Sequence, residues 1–373
     1  MSSVLVSGAS IAGLCAAAQL ADRGFTVTVV ERAPALRRTG SPIDVRGEAL
    51  NIAREMGILD QIYARRVVNS GREHFTTFVD HNGDPVAALP NSEASDSDED
   101  IEIARDSLID ILHGLIADRV TFVYDESVVG VTESPDAVTV VFASGKVKPF
   151  DIVIGADGIH SSVRRAVFGP ELNFRRHLGV YFSIVELPLG TSAHGESFTY
   201  NVPGLLAGIT DFGSRTLGFL AFRSPEIEYD YHDLNAQKQL ILDAFEGEHG
   251  WRVQELTDAV RNAPDLYFDS VSQVRMTTWS HERVVLVGDA AHAAALFSGR
   301  GTSLAMMGAR ALGEALVAPG AAELSSAYAA YEAAHRGHVL RAQEGVPEAR
   351  DIMVPDTASA LAERNLRFPL RAA

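Results

Sequence analysis

The sequence predicts an α/β protein in which a parallel-sheet domain is interrupted by an antiparallel-sheet domain and followed by C-terminal helices. Three observations carry that expectation. The opening stretch VLVSGASIAGLCAAAQLADRGFTVTVVER runs strand, glycine turn, helix and strand without a break. Two later stretches, ending at Gly155 and Gly288, again lead a short apolar run into a glycine turn and a helix start. Between them, residues 174–276 alternate polar and apolar and carry many aromatics, the texture of an antiparallel sheet with helices on one side.

Val4–Val6 suits a strand buried on both faces, and Leu14–Ala21 is apolar all round, as in a helix packed under a sheet. Gly24 stops that helix, and Thr26–Val30 is the next strand, ending on Glu31, 23 positions after Gly8. This is the spacing of a dinucleotide-binding unit. Its glycines let the backbone approach a diphosphate, the helix N-terminus offers N–H donors, and Glu31 accepts from ribose hydroxyls. Ser10 stands where the fingerprint has its middle glycine, small enough to keep the turn tight. The motif does not separate NAD from FAD.

Further along, Arg37–Gly47 is a loop with clustered arginines, and Glu48–Ile62 has apolar residues at helical spacing. His74–Val79 and Pro85–Leu89 form a hairpin, and Asn91–Asp100 is an acidic, solvated loop. Ile101–Arg105 leads into a helix over Asp106–Ile116, which Asp106 or Ser107 suits as a cap. Val120–Tyr124, Ser127–Thr132 and Ala137–Phe142 suggest a three-stranded meander. Asp151–Ile154 is a buried strand that enters Gly155-Ala156-Asp157-Gly158 and a helix over Ser161–Val167. In the middle region strands are expected at 180–187, 197–202, 205–209 and 216–223, with helices at 235–245 and 252–263. Val284–Val287 returns to the parallel-strand texture, a long helix follows Thr302, and Ala322–Ala342 is helical.

The chain has 373 residues and a formal net charge of −17, with no basic stretch to offset it, which disfavours nucleic acid as a partner. No apolar run reaches membrane-spanning length, and the first strand starts too early for a signal peptide, so a cytoplasmic protein is expected. Cys15 is the only cysteine; it excludes an internal disulfide and reads as a core residue of the first helix. No metal site is expected.

Three separated motifs, GASIAG with Glu31, GADGIHSSVRR (155–165), and VVLVGDAAH (284–292) with SGRGTSLA, together resemble the class A flavoprotein monooxygenases. The text PIDVRGEAL and RHLGVYFSIVELP is closer to the tetracycline/rifampicin and polyketide hydroxylase branch. The resemblance implies a Rossmann-like FAD-binding domain (1–72, 100–172 and 272–320) with an inserted, p-hydroxybenzoate hydroxylase-like substrate domain (73–99 and 173–271). A helical segment at 321–373 would complete the chain. It also implies that Gly8, Ser10 and Gly13 cradle the FAD diphosphate, with Glu31 on the adenosine ribose, and that Ile11, Ala12, Arg32 and Val129 belong to the same cofactor site. Arg46 and Arg105 match arginines near the ribityl chain and diphosphate. Asp157 belongs to a motif shared with NAD(P)H, although a turn cap explains it nearly as well. Gly288 and Asp289 would meet the ribityl or diphosphate, and Gly299, Gly301 and Thr302 the isoalloxazine edge. His292 is expected to be structural.

The activity implied is hydroxylation of an aromatic or polycyclic small molecule, with NADPH or NADH reducing FAD and dioxygen adding at flavin C(4a). No catalytic side chain is assigned; His177, Tyr181, Tyr200 and His232 qualify by type only, and a monomer or homodimer is expected. A flavin-dependent halogenase is disfavoured, because Trp251 and Trp279 stand apart and no lysine is suitably placed. A dehydrogenase or reductase without oxygen transfer, or a flavin-binding protein with little turnover, are the alternatives. Two departures stand out. Leu296 stands where the resembling family usually has proline, which is expected to loosen the segment before the Gly299 loop, and Gly308 where that family often has an acidic residue.

Overall fold

The computed structural model describes residues 2–36, 41–67, 74–193, 195–318 and 323–370, and the chain divides into two compact units. The first comprises residues 1–66, 99–176 and 272–344, the second residues 67–98, 177–271 and 345–373. Arg37 and Arg38 of the expected arginine loop lie outside the described residues.

The first unit is built on a six-stranded sheet, ordered Ser280–His281, Val284–Leu286, Ile152–Gly155, Ser3–Ser7, Thr26–Glu31, Thr121–Tyr124. Every neighbouring pair is parallel except the first. Val4, Leu5, Val6, Val153 and Ile154 are wholly buried, which is why these strands read as unbroken apolar runs. Helix Ile11–Asp22 packs against helices Arg105–Ile116 and Gly301–Ala315 and buries most of its length. Full burial of side chains such as Leu14 contributes about 1.5–3 kcal/mol each. Cys15 is buried in that helix, and burial pushes its thiol up to about 12.

Several local expectations need correction. Thr121–Tyr124 is an edge strand of the parallel sheet, and the meander comprises Val128–Glu133, Val138–Phe142 and Val147–Phe150. A four-residue apolar run does not reveal which sheet it joins. The helix expected over 48–62 is two, Glu48–Glu55 and Leu59–Ala64, because Gly57 turns the chain in the left-handed region. Arg105 is itself the first residue of its helix, which follows strand Ile101–Ala104, and no side chain caps it from Ala104.

The second unit carries a seven-stranded sheet, ordered Tyr267–Val274, Arg175–Leu187, Thr216–Arg223, Leu205–Asp211, Ser197–Val202, His74–Val79, Pro85–Pro90. Tyr181 stacks on Phe222 and Phe268, and helices Leu234–Ala244 and Val253–Asn262 add Ile241 and Leu256 to this core. The C-terminal helix Ala358–Arg367 is fastened by Arg364, whose guanidinium lies 3.5 Å from the Phe78 ring centroid and donates to Asn201 Oδ1 at 3.2 Å. Helix Leu324–Glu344, in contrast, belongs to the first unit. The helical stretch expected as one segment is therefore divided between the two.

Candidate functional site

The strands that carry the motifs run parallel in close register, with Ser7 beside both Val30 and Gly155, and Gly155 beside Leu286. Their glycine turns therefore emerge at one edge of the sheet. The first strand has a parallel neighbour on each side, so this edge is where the strand order switches direction and a crevice opens.

The turns interlock. A Cβ on Gly13 would stand 1.9 Å from Gly8 O, one on Gly8 2.5 Å from Ala156 O, and one on Gly288 2.6 Å from Ala12 Cβ. The missing side chains serve the protein's own packing before they serve a ligand.

Ser10 is the N-cap of helix Ile11–Asp22, yet its side chain caps nothing, and the first turn of that helix holds no acidic residue. Instead Arg105 Nη2 donates to Ser10 Oγ at 2.7 Å. A helix N-terminus without a side-chain cap, with a guanidinium beside it, fits a diphosphate. Ile11 and Ala12 are buried at the start of that helix. At the end of the second strand, Glu31 accepts the N–H groups of Ala9 (2.9 Å) and Ala33 (3.0 Å). Each carboxylate oxygen keeps a further lone pair for a hydroxyl. Arg32 is exposed beside it, and Val129 is exposed at a bulge of the meander.

Pro34, Ala35, Leu36 and Tyr124 line an open hollow of about 450 Å³, which no motif announces. Tyr124 pairs in register with Glu31, and burial together with the Glu31 charge raises its hydroxyl pKa. Its one mark in the sequence is an aromatic residue at the end of a short apolar run, Val120–Tyr124.

A two-stranded antiparallel ribbon, Pro42–Val45 against Ile101–Ala104, sets Arg46 and Arg105 toward opposite ends, about 15 Å apart along the strands. Arg46 is buried; its Nη2 donates to Asp44 at 2.6 Å, its backbone N–H donates to Ser303 Oγ at 3.0 Å, and its Nε makes no hydrogen bond but lies 3.9 Å from the Asp100 carboxylate. Gly299, left-handed at φ 60°, touches it: a Cβ there would lie 3.2 Å from Nη1. Gly301 opens helix Gly301–Ala315, with Thr302 buried in its first turn. Asp289 is exposed as the first residue of the short helix Asp289–His292, and the Gly288–Ala12 contact keeps it near the first helix N-terminus. The site thus groups Ser10 with Arg105, Arg46 with Gly299, and Glu31 with Tyr124.

Asp157 is differently employed. Its Oδ2 accepts from Ser162 N (2.9 Å), Ser162 Oγ (2.9 Å) and Val163 N (3.1 Å), and Oδ1 accepts from Ser161 Oγ. That is a cap on helix Ser162–Phe168. His292 is buried against His335 at 4.8 Å between ring centroids, and burial pulls its pKa well below the ordinary value. A Cβ at Gly308 would come 3.0 Å from His335 Nε2, so the glycine makes room for that ring. Leu296 opens a turn, Leu296–Ser298, in which Ala295 O accepts both Ser298 N–H (3.1 Å) and Ser298 Oγ–H (2.7 Å). These bonds tie the turn at a position where the resembling family has proline. In the second unit, Tyr181 and His177 bond to backbone of Ile227 and Ser224, Tyr200 donates to Glu248, and His232 is exposed.

Changing Arg105 to alanine should raise the FAD dissociation constant about tenfold, the loss of one charge-assisted contact, with the thermal midpoint little changed. Flavin-fluorescence titration beside a melting curve checks this. An unchanged affinity would return Arg105 to a purely structural role.

The sequence family described as FAD binding domain matches residues 1–181 and 266–342, more than half of the chain. A flavin-dependent monooxygenase of Legionella longbeachae is 34% identical over 363 residues, covering 95% of this chain and 91% of that protein. An uncharacterized protein of Mycobacterium tuberculosis is 38% identical over 348 residues, covering 92% of each. Among solved structures, tetracycline destructase Tet(51) superposes with a TM-score of 0.84 over the whole of both chains at 28% identity. No helix among the described residues is long and apolar enough to cross a membrane.

Proposed function

The chain belongs to the FAD-binding family of flavin-dependent monooxygenases, and from that premise we propose that it hydroxylates an aromatic or polycyclic, polyketide-like small molecule with NADPH or NADH and dioxygen as co-substrates. The observation that carries the cofactor half is the convergence of Arg105 on Ser10 at a helix N-terminus without a side-chain cap. The similarity to a tetracycline destructase supports the substrate class.

In this reading the N–H groups of Ile11, Ala12 and Gly13, with Arg105, take the diphosphate. Glu31 takes the adenosine ribose, and Tyr124 with Pro34–Leu36 receives the adenine. Asp289 accepts from a ribityl or ribose hydroxyl, and Arg46 offers its Nε–H, which makes no hydrogen bond within the chain, to the ribityl chain or a phosphate. Bound FAD supplies the hydride acceptance and oxygen activation that no amino-acid side chain provides. The protein's share is to bind, to orient and to exclude water, so no nucleophile or general base is assigned. Asp157 serves its own helix in this reading.

Purified protein should carry one non-covalent FAD per chain. Aromatic and polycyclic candidates should be scanned for acceleration of anaerobic flavin reduction by NADPH and NADH, and the hits run under ¹⁸O₂. Label in the product is the expected result. Reduction without label in any product would leave a flavin reductase, and failure to take up FAD would remove the reading altogether.

A further inference from the structure

Ala295 has φ 83° and ψ 159°, a backbone region that is essentially reserved for glycine. An alanine stays there only when its surroundings over-determine it. The surroundings on its N-terminal side are two buried glutamines, Gln273 (1% exposed) and Gln343 (3%). Gln343 Nε2 donates to Ala293 O (3.1 Å) and Val274 O (2.9 Å). Gln273 Nε2 donates to Ala294 O (3.2 Å) and Gln343 O (2.8 Å). The guanidinium of Arg275 donates to Gln273 Oε1 at 2.8 and 3.0 Å and so fixes which way that amide faces. Val274 N–H adds a backbone bond to Ala293 O (3.1 Å).

On the C-terminal side, Ala295 O holds Ser298 through both its N–H and its hydroxyl. Gly299 N–H donates to Leu296 O (3.2 Å) and Arg300 N–H to Ser298 Oγ (3.2 Å). The two consecutive carbonyls before the strained residue are thus clamped by side-chain amides, and the turn after it closes on that residue's own carbonyl. Two glutamine amides inside a core would otherwise be a costly way to fill space, since apolar side chains of that size need no partners.

We propose that Gln273 and Gln343 are positioning residues: they clamp the Ala293 and Ala294 carbonyls, hold Ala295 in its strained conformation, and thereby set the turn that delivers Gly299 to Arg46. Resting on the FAD reading above, the clamp fixes the protein edge against which the isoalloxazine would lie. Both glutamine amides are taken up by backbone carbonyls.

The test is hydrogen–deuterium exchange on the full-length apoprotein, followed in peptides covering 296–301, with FAD affinity measured in parallel. Gln343→Leu should speed exchange of the Ser298, Gly299 and Arg300 amides about tenfold or more. Adding Ala295→Gly to that variant should return exchange most of the way, because glycine needs no clamp to hold this conformation. It should also recover most of any FAD affinity that Gln343→Leu loses. A merely structural glutamine predicts otherwise: exchange would rise through 267–274 and 335–344 as well, and Ala295→Gly would restore nothing. Either of these, or unchanged exchange at 296–301, overturns the proposal. Should Gln343→Leu not fold, Ala295→Gly alone decides: relief of strain predicts a midpoint raised by about 1–3 °C, and a lowered midpoint counts against strain. If no form binds FAD, the flavin reading fails, while the apoprotein exchange still judges the clamp.

Discussion

Gly13→Ala is expected to abolish FAD binding and to destabilise the protein by about 3 kcal/mol. The added methyl would fall 1.9 Å from Gly8 O, a backbone atom that has no rotamer to give way. Gly8 in turn is pressed on Ala156 O and held by its N–H bond to Val30 O at 2.8 Å, so the displacement cannot stop at one residue. The helix start must back away from the strand end, and with it the N–H groups proposed to meet the diphosphate. Gly24→Ala is the matched control. Its φ is +85° but nothing lies within 4 Å of its Cβ, so it should cost about 1–2 kcal/mol of backbone strain and leave FAD affinity intact. Equal FAD affinities in the two variants would contradict the interlocking of the turns.

Asp289→Ala should raise the FAD dissociation constant roughly 10- to 150-fold, the loss of a charge-assisted hydrogen bond of about 1.5–3 kcal/mol. A capping role predicts instead a stability loss of ~1 kcal/mol and an unchanged affinity. The geometry favours the first outcome. The helix that Asp289 opens spans only Asp289–His292, and the carboxylate is exposed at the same sheet edge as Ser10 and Glu31. Asp157 is the internal comparison: Asp157→Ala should lower stability, because its four hydrogen bonds all serve helix Ser162–Phe168 and the residue before it, and should barely move FAD affinity.

The contrast between these two aspartates shows what the sequence could express. Both end an apolar strand in a glycine turn, and the strands, turns and parallel sheet were legible because buried strands leave an unmistakable apolar run. What marks Asp157 is the pair of serines that follows it: Ser161 and Ser162 draw it into a cap, whereas alanines, Ala290 and Ala291, follow Asp289. Arg105 could be placed near the cofactor only through resemblance, since its partner Ser10 lies 95 residues earlier. Tyr124 was missed because an edge strand of four residues carries no mark of the sheet it joins. The Gln273–Gln343 clamp was illegible for a deeper reason. A glutamine in a sequence reads as surface, and only the carbonyls it meets show otherwise.

The interlocked turns also impose a timetable. Gly288 follows Gly8 by 280 residues, so at about 5–20 residues per second it is synthesised roughly 15–60 s later. Until then the contact of Gly288 with Ala12 cannot exist, the strand Val284–Leu286 is missing from the sheet, and Asp289 and the Gly299 loop have not been made. A growing chain therefore has no complete flavin site with which to recruit stabilisation, however much FAD surrounds it. Once the site closes, FAD at a hundred times its dissociation constant adds about 2.7 kcal/mol by mass action. FAD can thus stabilise only finished chains, and the early part of folding must succeed on the apolar sheet alone.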